Sequence, residues 1–238
     1  MKTLNSLWRP FQLAVAAALA LGAGCSVVTP SEFYQLQAPQ EVVASTHGQT
    51  AVLLGPVKLA DYLQREQIMQ RKADGRLGVS RKGRWAGSLQ DEVGQLLLRQ
   101  LATGLGSSHV ALYPDRIGVK AGAQVILSIS RLDSGETEPA VLEAQWRLLD
   151  ADGEVRNSRV VTLQAEHNGE LTSQVQAQSE LLVQLSDQLV AAVKQLQDSQ
   201  RAPAKTAPAR APATTPEQTR QASGMPLAEP QEREVYRF

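Results

Sequence analysis

The 238 residues contain a single cysteine, Cys25, which excludes an internal disulfide. The three histidines, His47, His109 and His167, stand far apart, so no Cys/His spacing for zinc exists and no metal is expected. Aromatic residues make up only 4% of the chain, leaving few large apolar groups beyond those a core consumes. Neither charge predominates: 24 basic residues face 24 acidic ones. The chain as a whole therefore has no strong field to gather nucleic acid or to coat an anionic membrane. A GxxxxGK[ST] phosphate loop is absent, so the chain cannot supply an ATP site, and no GxSxG nucleophile elbow occurs. Ser108, His109 and Asp115 could be assembled into a nucleophilic set, but triad members must converge in space, which closeness along the chain does not provide. Neither catalysis nor a dissociable cofactor is expected.

What is present begins with an export signal. Lys2 and Arg9 form a basic leader, Leu13 to Leu21 (LAVAAALAL) an apolar run, and Gly22, Ala23 and Gly24 a small-residue stretch. The apolar run falls short of the roughly 20 residues that cross a bilayer. Cys25 follows the small residues at once, the position where a thiol becomes the thioether of a diacylglycerol. Gly22 stands where the usual lipoprotein signal has Leu. A lone cysteine in an oxidising compartment needs a role, and lipidation supplies one: diacylglycerol and an N-acyl chain, palmitate for example, on Cys25. Each buried methylene contributes about 0.8 kcal/mol, so two or three chains make attachment effectively permanent. Ser26 after the cysteine favours the outer membrane over retention at the inner one. Loss of residues 1–24 removes Lys2 and Arg9 and no acidic residue, leaving a slight acidic excess.

Composition divides the rest into a lipidated N-terminus and short tether (25–32), one folded domain (33–197) and a Pro/Ala-rich tail (198–238). The tail holds half of the twelve prolines and almost no core-forming residues, the signature of disorder. Within the domain, strands are expected at Phe33 to Leu36, at Thr50 to Leu59 with a bend at Gly55-Pro56, and at Gln67 to Arg71 and Leu77 to Arg81 around an Ala73-Asp74-Gly75 turn. A short turn or helix spans Asp61 to Arg65. Ser88 caps a helix that Gly104 or Gly106 ends, with Leu89, Val93, Leu96, Leu97 and Leu101 on one face. Strands follow at Val110 to Tyr113, Ala123 to Leu132, Ala140 to Leu149 and Val155 to Glu166, the last three a meander with alternating buried positions. A second helix, Leu171 to Leu196, carries Val175, Leu182, Leu189 and Leu196 at heptad spacing, with Leu171, Leu185 and Ala192 beside them and Gln178 interrupting. A helix covering a sheet fits these rows better than a coiled-coil seam, which needs sustained heptads and flanking charges.

The segment Leu54-Gly-Pro-Val-Lys-Leu-Ala-Asp-Tyr-Leu-Gln-Arg-Glu-Gln-Ile-Met-Gln-Arg71, then Arg84-Trp-Ala-Gly-Ser-Leu89 at the start of the first helix, resembles the ABC-type transport auxiliary lipoproteins, the PqiC-like group. Phe33-Tyr-Gln-Leu36 and Ala144-Gln-Trp-Arg-Leu-Leu-Asp150 fit the same pattern, and the resemblance covers residues 25 to 197. It implies a single α/β (α+β) domain with a mixed or antiparallel sheet packed by two long helices. It also implies a non-catalytic accessory of an MCE-type (mammalian-cell-entry) lipid transport system linking the two membranes. The MCE-domain protein and the inner-membrane transporter subunits would be other chains, and self-association into a homo-oligomer stays open.

Tyr62, Arg65, Arg84 and Trp85 combine the aromatic and guanidinium groups that anchor interfaces and are the candidate partner-docking residues. A Trp at the start of a helix is more often a core plug with an Arg stacked on it. A periplasmic lipid carrier, or a structural lipoprotein reaching the cell wall, are the alternatives to an adaptor; a carrier needs an apolar cavity, for which the sequence has few spare side chains. The anchor is directly testable. A fatty-acid probe fed to cells should label the wild-type chain and not Cys25→Ser; label retained in the variant, or missing from both, contradicts lipidation at this residue.

Overall fold

The computed structural model describes residues 30–37, 51–115 and 121–201. The leader, Cys25 and residues 202–238 of the tail lie outside the described residues. Eight strands and two long helices run in the order β1 (Glu32–Tyr34), β2 (Val52–Leu59), β3 (Gln67–Arg71), β4 (Leu77–Trp85), α1 (Leu89–Leu105), β5 (Val110–Leu112), β6 (Ala123–Asp133), β7 (Ala140–Asp150), β8 (Val155–Ala165) and α2 (Leu171–Arg201), with a 3₁₀ turn at Asp61–Leu63. The mixed α+β architecture is the expected one, arranged as two sheets.

The larger sheet has the order β5-β2-β6-β7-β8. β6, β7 and β8 form the antiparallel meander, and β2 lies parallel to both β5 and β6. A parallel neighbour needs a long crossover; the β3–β4 hairpin and α1 provide it between β2 and β5. The bend at Gly55-Pro56 is a register shift between Leu54 and Val57. Gly55 sits there at φ +113°, and a Cβ on it would stand 3.0 Å from the Tyr113 Cβ, so both backbone and space require glycine. The alternation read from sequence is borne out. Val125, Leu127, Ile129, Leu142, Ala144, Trp146 and Leu148 are all buried on one face, and α2 packs on that face against β6, β7 and β8.

The smaller sheet, β1-β4-β3, was not foreseen as a separate layer. β4 runs four residues past its expected end, to Trp85, because Trp85 donates its N–H to the Glu66 carbonyl at 2.7 Å and so continues the ladder. Trp85 therefore closes a strand and does not open the helix. The expected strand at Phe33–Leu36 is shifted to Glu32–Tyr34, and Leu36 is buried just beyond it.

Both helices obey their sequence signals. Ser88 Oγ accepts the Asp91 N–H at 3.3 Å, Asp91 and Glu92 occupy the positive first turn, and Gly106 at φ 60° ends α1 in a left-handed cap. The apolar face of α1 is fully buried. In α2 both heptad rows point inward: Leu182, Leu185 and Leu189 have no exposed surface, each contributing on the order of 1.5–3 kcal/mol. The helix is a sheet cover, as the rows suggested, and it continues past the expected boundary near Asp198 to Arg201.

The two helices approach closely at Gly104, where an added Cβ would fall 2.6 Å from Val190 Cγ2. Alanine gains about 1 kcal/mol over glycine in helix propensity, but overpacking costs about 1–3 kcal/mol. Gly104→Ala should thus lower the melting temperature, and adding Val190→Ala should recover part of the loss; a stabilised single variant would contradict the close crossing.

Candidate docking surface

The N-terminal segment 30–37 is a strap across the small sheet. β1 pairs in parallel with β4 in the register Glu32↔Gly83, Phe33↔Arg84, Tyr34↔Trp85, and Ala86 donates its N–H to the Tyr34 carbonyl at 2.9 Å. Beyond the strand, the Leu36 N–H donates to Glu92 Oε2 at 3.0 Å and the Gln37 N–H to Ser179 Oγ at 3.1 Å. The strap is thereby fastened to both helices. Burial pushes the Glu92 carboxyl above its usual pKa, with the Leu36 N–H pulling only partly back, and its Oε1 has no hydrogen-bond partner.

Directly paired residues share a face of the sheet. Tyr34 and Trp85 turn to the helices, Phe33 and Arg84 away from them. Trp85 is only 5% exposed and belongs to the core, whereas Phe33 is 68% exposed. Arg84 donates from Nε to Ser31 Oγ at 3.1 Å and lies 3.4 Å from Glu66 Oε2. Arg65 is exposed. An open depression of about 530 Å³ lies among Phe33, Arg65, Glu66 and the rim of Trp85. Of the four residues singled out from the sequence, Arg65 and Arg84 thus reach the surface, beside a Phe33 that sequence reasoning did not select. The burial of Trp85 corrects its place among docking anchors: its ring is a core plug, reached from outside only at its edge.

Tyr62 points elsewhere. Its hydroxyl donates to Asp133 Oδ2 at 2.7 Å, and burial, reinforced by the Asp133 carboxylate, raises its pKa well above the usual tyrosine value. Asp133 is wholly buried and receives three further bonds: Arg71 Nε to Oδ1 at 2.9 Å, Arg71 Nη2 to Oδ2 at 2.7 Å, and Arg131 Nε to Oδ1 at 3.0 Å. Burial pushes the Asp133 carboxyl up, but the donors from Arg71 and Tyr62 and the charge of Arg131 outweigh it and hold the pKa below the ordinary aspartate range. The next residue extends the network. Ser134 accepts the Arg71 N–H on its carbonyl at 2.8 Å, donates its hydroxyl to Gln174 Oε1 at 3.1 Å, and accepts Gln178 Nε2 at 3.0 Å. Gln178, which broke the apolar row, is the partner of a buried hydroxyl.

Among the described residues no three His, Cys, Asp or Glu side chains gather as metal ligands, and no helix is long and apolar enough to cross a membrane.

The arrangement of two sheets and two helices is shared with solved structures. A DUF330 protein from Xanthomonas campestris is similar at a TM-score of 0.58 and 19% identity, over 71% of this chain and 99% of that one. An uncharacterized protein of known structure is similar at a TM-score of 0.53 and 15% identity, over the same shares of the two chains. A PelC dodecamer subunit from Paraburkholderia phytofirmans, at 13% identity over 67% of this chain and 96% of that one, has a TM-score of only 0.37, too distant to carry an argument about assembly. No curated protein matches the sequence. The family model of the ABC-type transport auxiliary lipoprotein component matches residues 34–190, and the chain belongs to that family.

Removing one partner from a buried ion pair costs about 3–5 kcal/mol, so Asp133→Asn should lower stability by about that amount at neutral pH. Because the folded pKa is depressed, the contribution of the carboxylate is intact above the unfolded aspartate pKa and disappears as pH falls through the folded one. Melts of wild type and variant should keep a constant gap from neutral pH down to about pH 5 and narrow as the solution is made more acid; a gap unchanged at the acid end would contradict the assignment.

Proposed function

We propose that the protein is a non-catalytic accessory subunit of an MCE-type intermembrane lipid transport system, anchored in the outer membrane by lipid on Cys25 with its domain on the periplasmic face. The match of the family model across residues 34–190, nearly the whole described domain, carries this reading. The family description supplies the transport and lipoprotein roles; the MCE-domain partner, the inner-membrane permease and ATPase on other chains, and the outer-membrane address are the finer steps proposed here. Ser26 after Cys25 supports the last of these.

The surface also favours an adaptor over a carrier. A site for lipid acyl chains is enclosed and mostly apolar. A depression of about 890 Å³ is open and walled by Glu32, Lys72, Arg81, Lys82, Glu136 and Gln174 among others. Charged walls do not hold acyl chains.

Crosslinking in intact cells followed by identification of captured chains tests the proposal. Recovery of an MCE-domain protein or its transporter subunits is the expected result. Native mass spectrometry showing tightly held lipid and no protein partner would instead support the carrier.

A further inference from the structure

The balanced charge of the chain conceals a local excess. Residues 65–84, which contain β3 and most of β4, hold seven basic side chains (Arg65, Arg71, Lys72, Arg76, Arg81, Lys82, Arg84) against two acidic ones, Glu66 and Asp74. Arg71 is committed to Asp133, Arg76 pairs with Asp74 and Arg84 with Glu66. Arg65, Lys72, Arg81 and Lys82 are exposed, and among the described residues they form no ion pair.

Apolar groups share this sheet. Register carries one face from Phe33 to its partner Arg84, to Gln67, along β3 to Met69, across to Val79 and on to Leu77. Ile68 lies on the opposite face and is buried. Phe33, Val79 and Leu77 are 68%, 51% and 38% exposed, half of the large hydrophobics that the described domain leaves in solvent. Lys72 lies on the Ile68 face, beside Gly78, whereas Arg65 lines a depression with Phe33. Exposed apolar side chains with unpaired cations nearby are the composition of a surface that lies on an anionic bilayer, with rings and aliphatic groups at the headgroup boundary and cations among the phosphates.

Chain length selects the bilayer as the occupant. Phe33 stands eight residues after Cys25, and at ~3.6 Å per residue the intervening chain spans at most about 29 Å. A lipid on Cys25 therefore keeps β1, and the sheet it belongs to, within that distance of the membrane.

We infer that the outer face of the small sheet, with Phe33, Val79 and Leu77, Arg65 beside Phe33, and Arg81 and Lys82 at the irregular stretch of β4, rests on the anionic phospholipid surface of the membrane that holds Cys25. This inference rests on the anchor reading. A surface anchored by acyl chains alone could swivel; a second contact fixes which side of the domain faces away from the membrane and meets the transporter.

The lone cysteine makes the test clean, since lipidation consumes its thiol. Phe33→Cys, Val79→Cys and Val160→Cys each then present one reactive thiol at an exposed position. Val160 lies on β8, the outermost strand of the other sheet, and serves as the reference. Each full-length protein, extracted from membranes, labelled with an environment-sensitive fluorophore and reconstituted into phosphatidylethanolamine–phosphatidylglycerol vesicles, is exposed to a nitroxide carried on lipid. Labels at Phe33 and Val79 should shift to the blue and lose most of their emission, and the label at Val160 should do neither. Quenching at Phe33 should weaken when Arg65→Gln and Lys82→Gln are added or when phosphatidylglycerol is omitted. Equal behaviour at Phe33 and Val160 would overturn the inference, as would a photo-crosslinker at Phe33 that captures a protein and no lipid in cells. Labelling of the wild-type chain at Cys25 would instead refute the anchor, a result read separately from the vesicle contact.

Discussion

A carboxylate with no exposed surface organises this domain. Asp133 ends the long strand β6 and accepts bonds from Arg71 of the small sheet, from Arg131 of its own strand and from Tyr62 of the 3₁₀ turn. Desolvating such a charge costs several kcal/mol, which only well-aligned donors offset. The alignment is met here by a bidentate guanidinium, whose fork matches both oxygens. The neighbouring main chain joins the same two elements, β3 to Ser134. Polar bonds clustered at this corner thus join the small sheet to the large one, alongside the packing of Ile68 and Trp85 into the common core.

The strap is the second half of the same construction. Its hydrogen bonds go to Glu92 at the start of α1 and to Ser179 on α2, so a pull on the N-terminal chain is passed to the two helices that carry the core. Glu92 bears the cost. Its partly buried carboxylate accepts one N–H and leaves one oxygen without a partner, an arrangement less favourable than a fully bonded acid. It serves the strap because a helix N-terminus tolerates negative charge.

Local chemistry was legible in the sequence; long-range pairing was not. The Asp74-Gly75 turn, the Ser88 cap, the left-handed Gly106 and the alternation in β6 and β7 each follow from residues within a few positions of one another, and each is found. The split into two sheets depends on β1 pairing with β4 across some fifty residues, and no periodicity encodes a partner at that distance. Likewise Asp133, Arg71 and Tyr62 look individually like ordinary surface residues at strand ends, and only their convergence makes a cluster. The Ser88 cap three residues on suggests a helix start at Trp85, while the ladder bond that extends β4 leaves no local mark. Phe33 stood in plain view beside Tyr34; which of the two turns outward is set by register with β4.

That register gives Phe33 its meaning. In a strand, a shift of one residue exchanges the two faces, so a slipped strap would bury Phe33 and expose Tyr34. The observed register places Tyr34 opposite the buried Trp85 and leaves Phe33 in solvent, forgoing the roughly 1.5–3 kcal/mol that burial of a large apolar side chain provides. The strap does bury an apolar residue three positions later, at Leu36, so the chain here is not simply too short of contacts to cover one. The ring is held outward by the register of its strand, beside Arg84, its partner on β4. Net charge and mean composition conceal such a surface because both average over the whole chain, whereas a membrane is met by one face at a time.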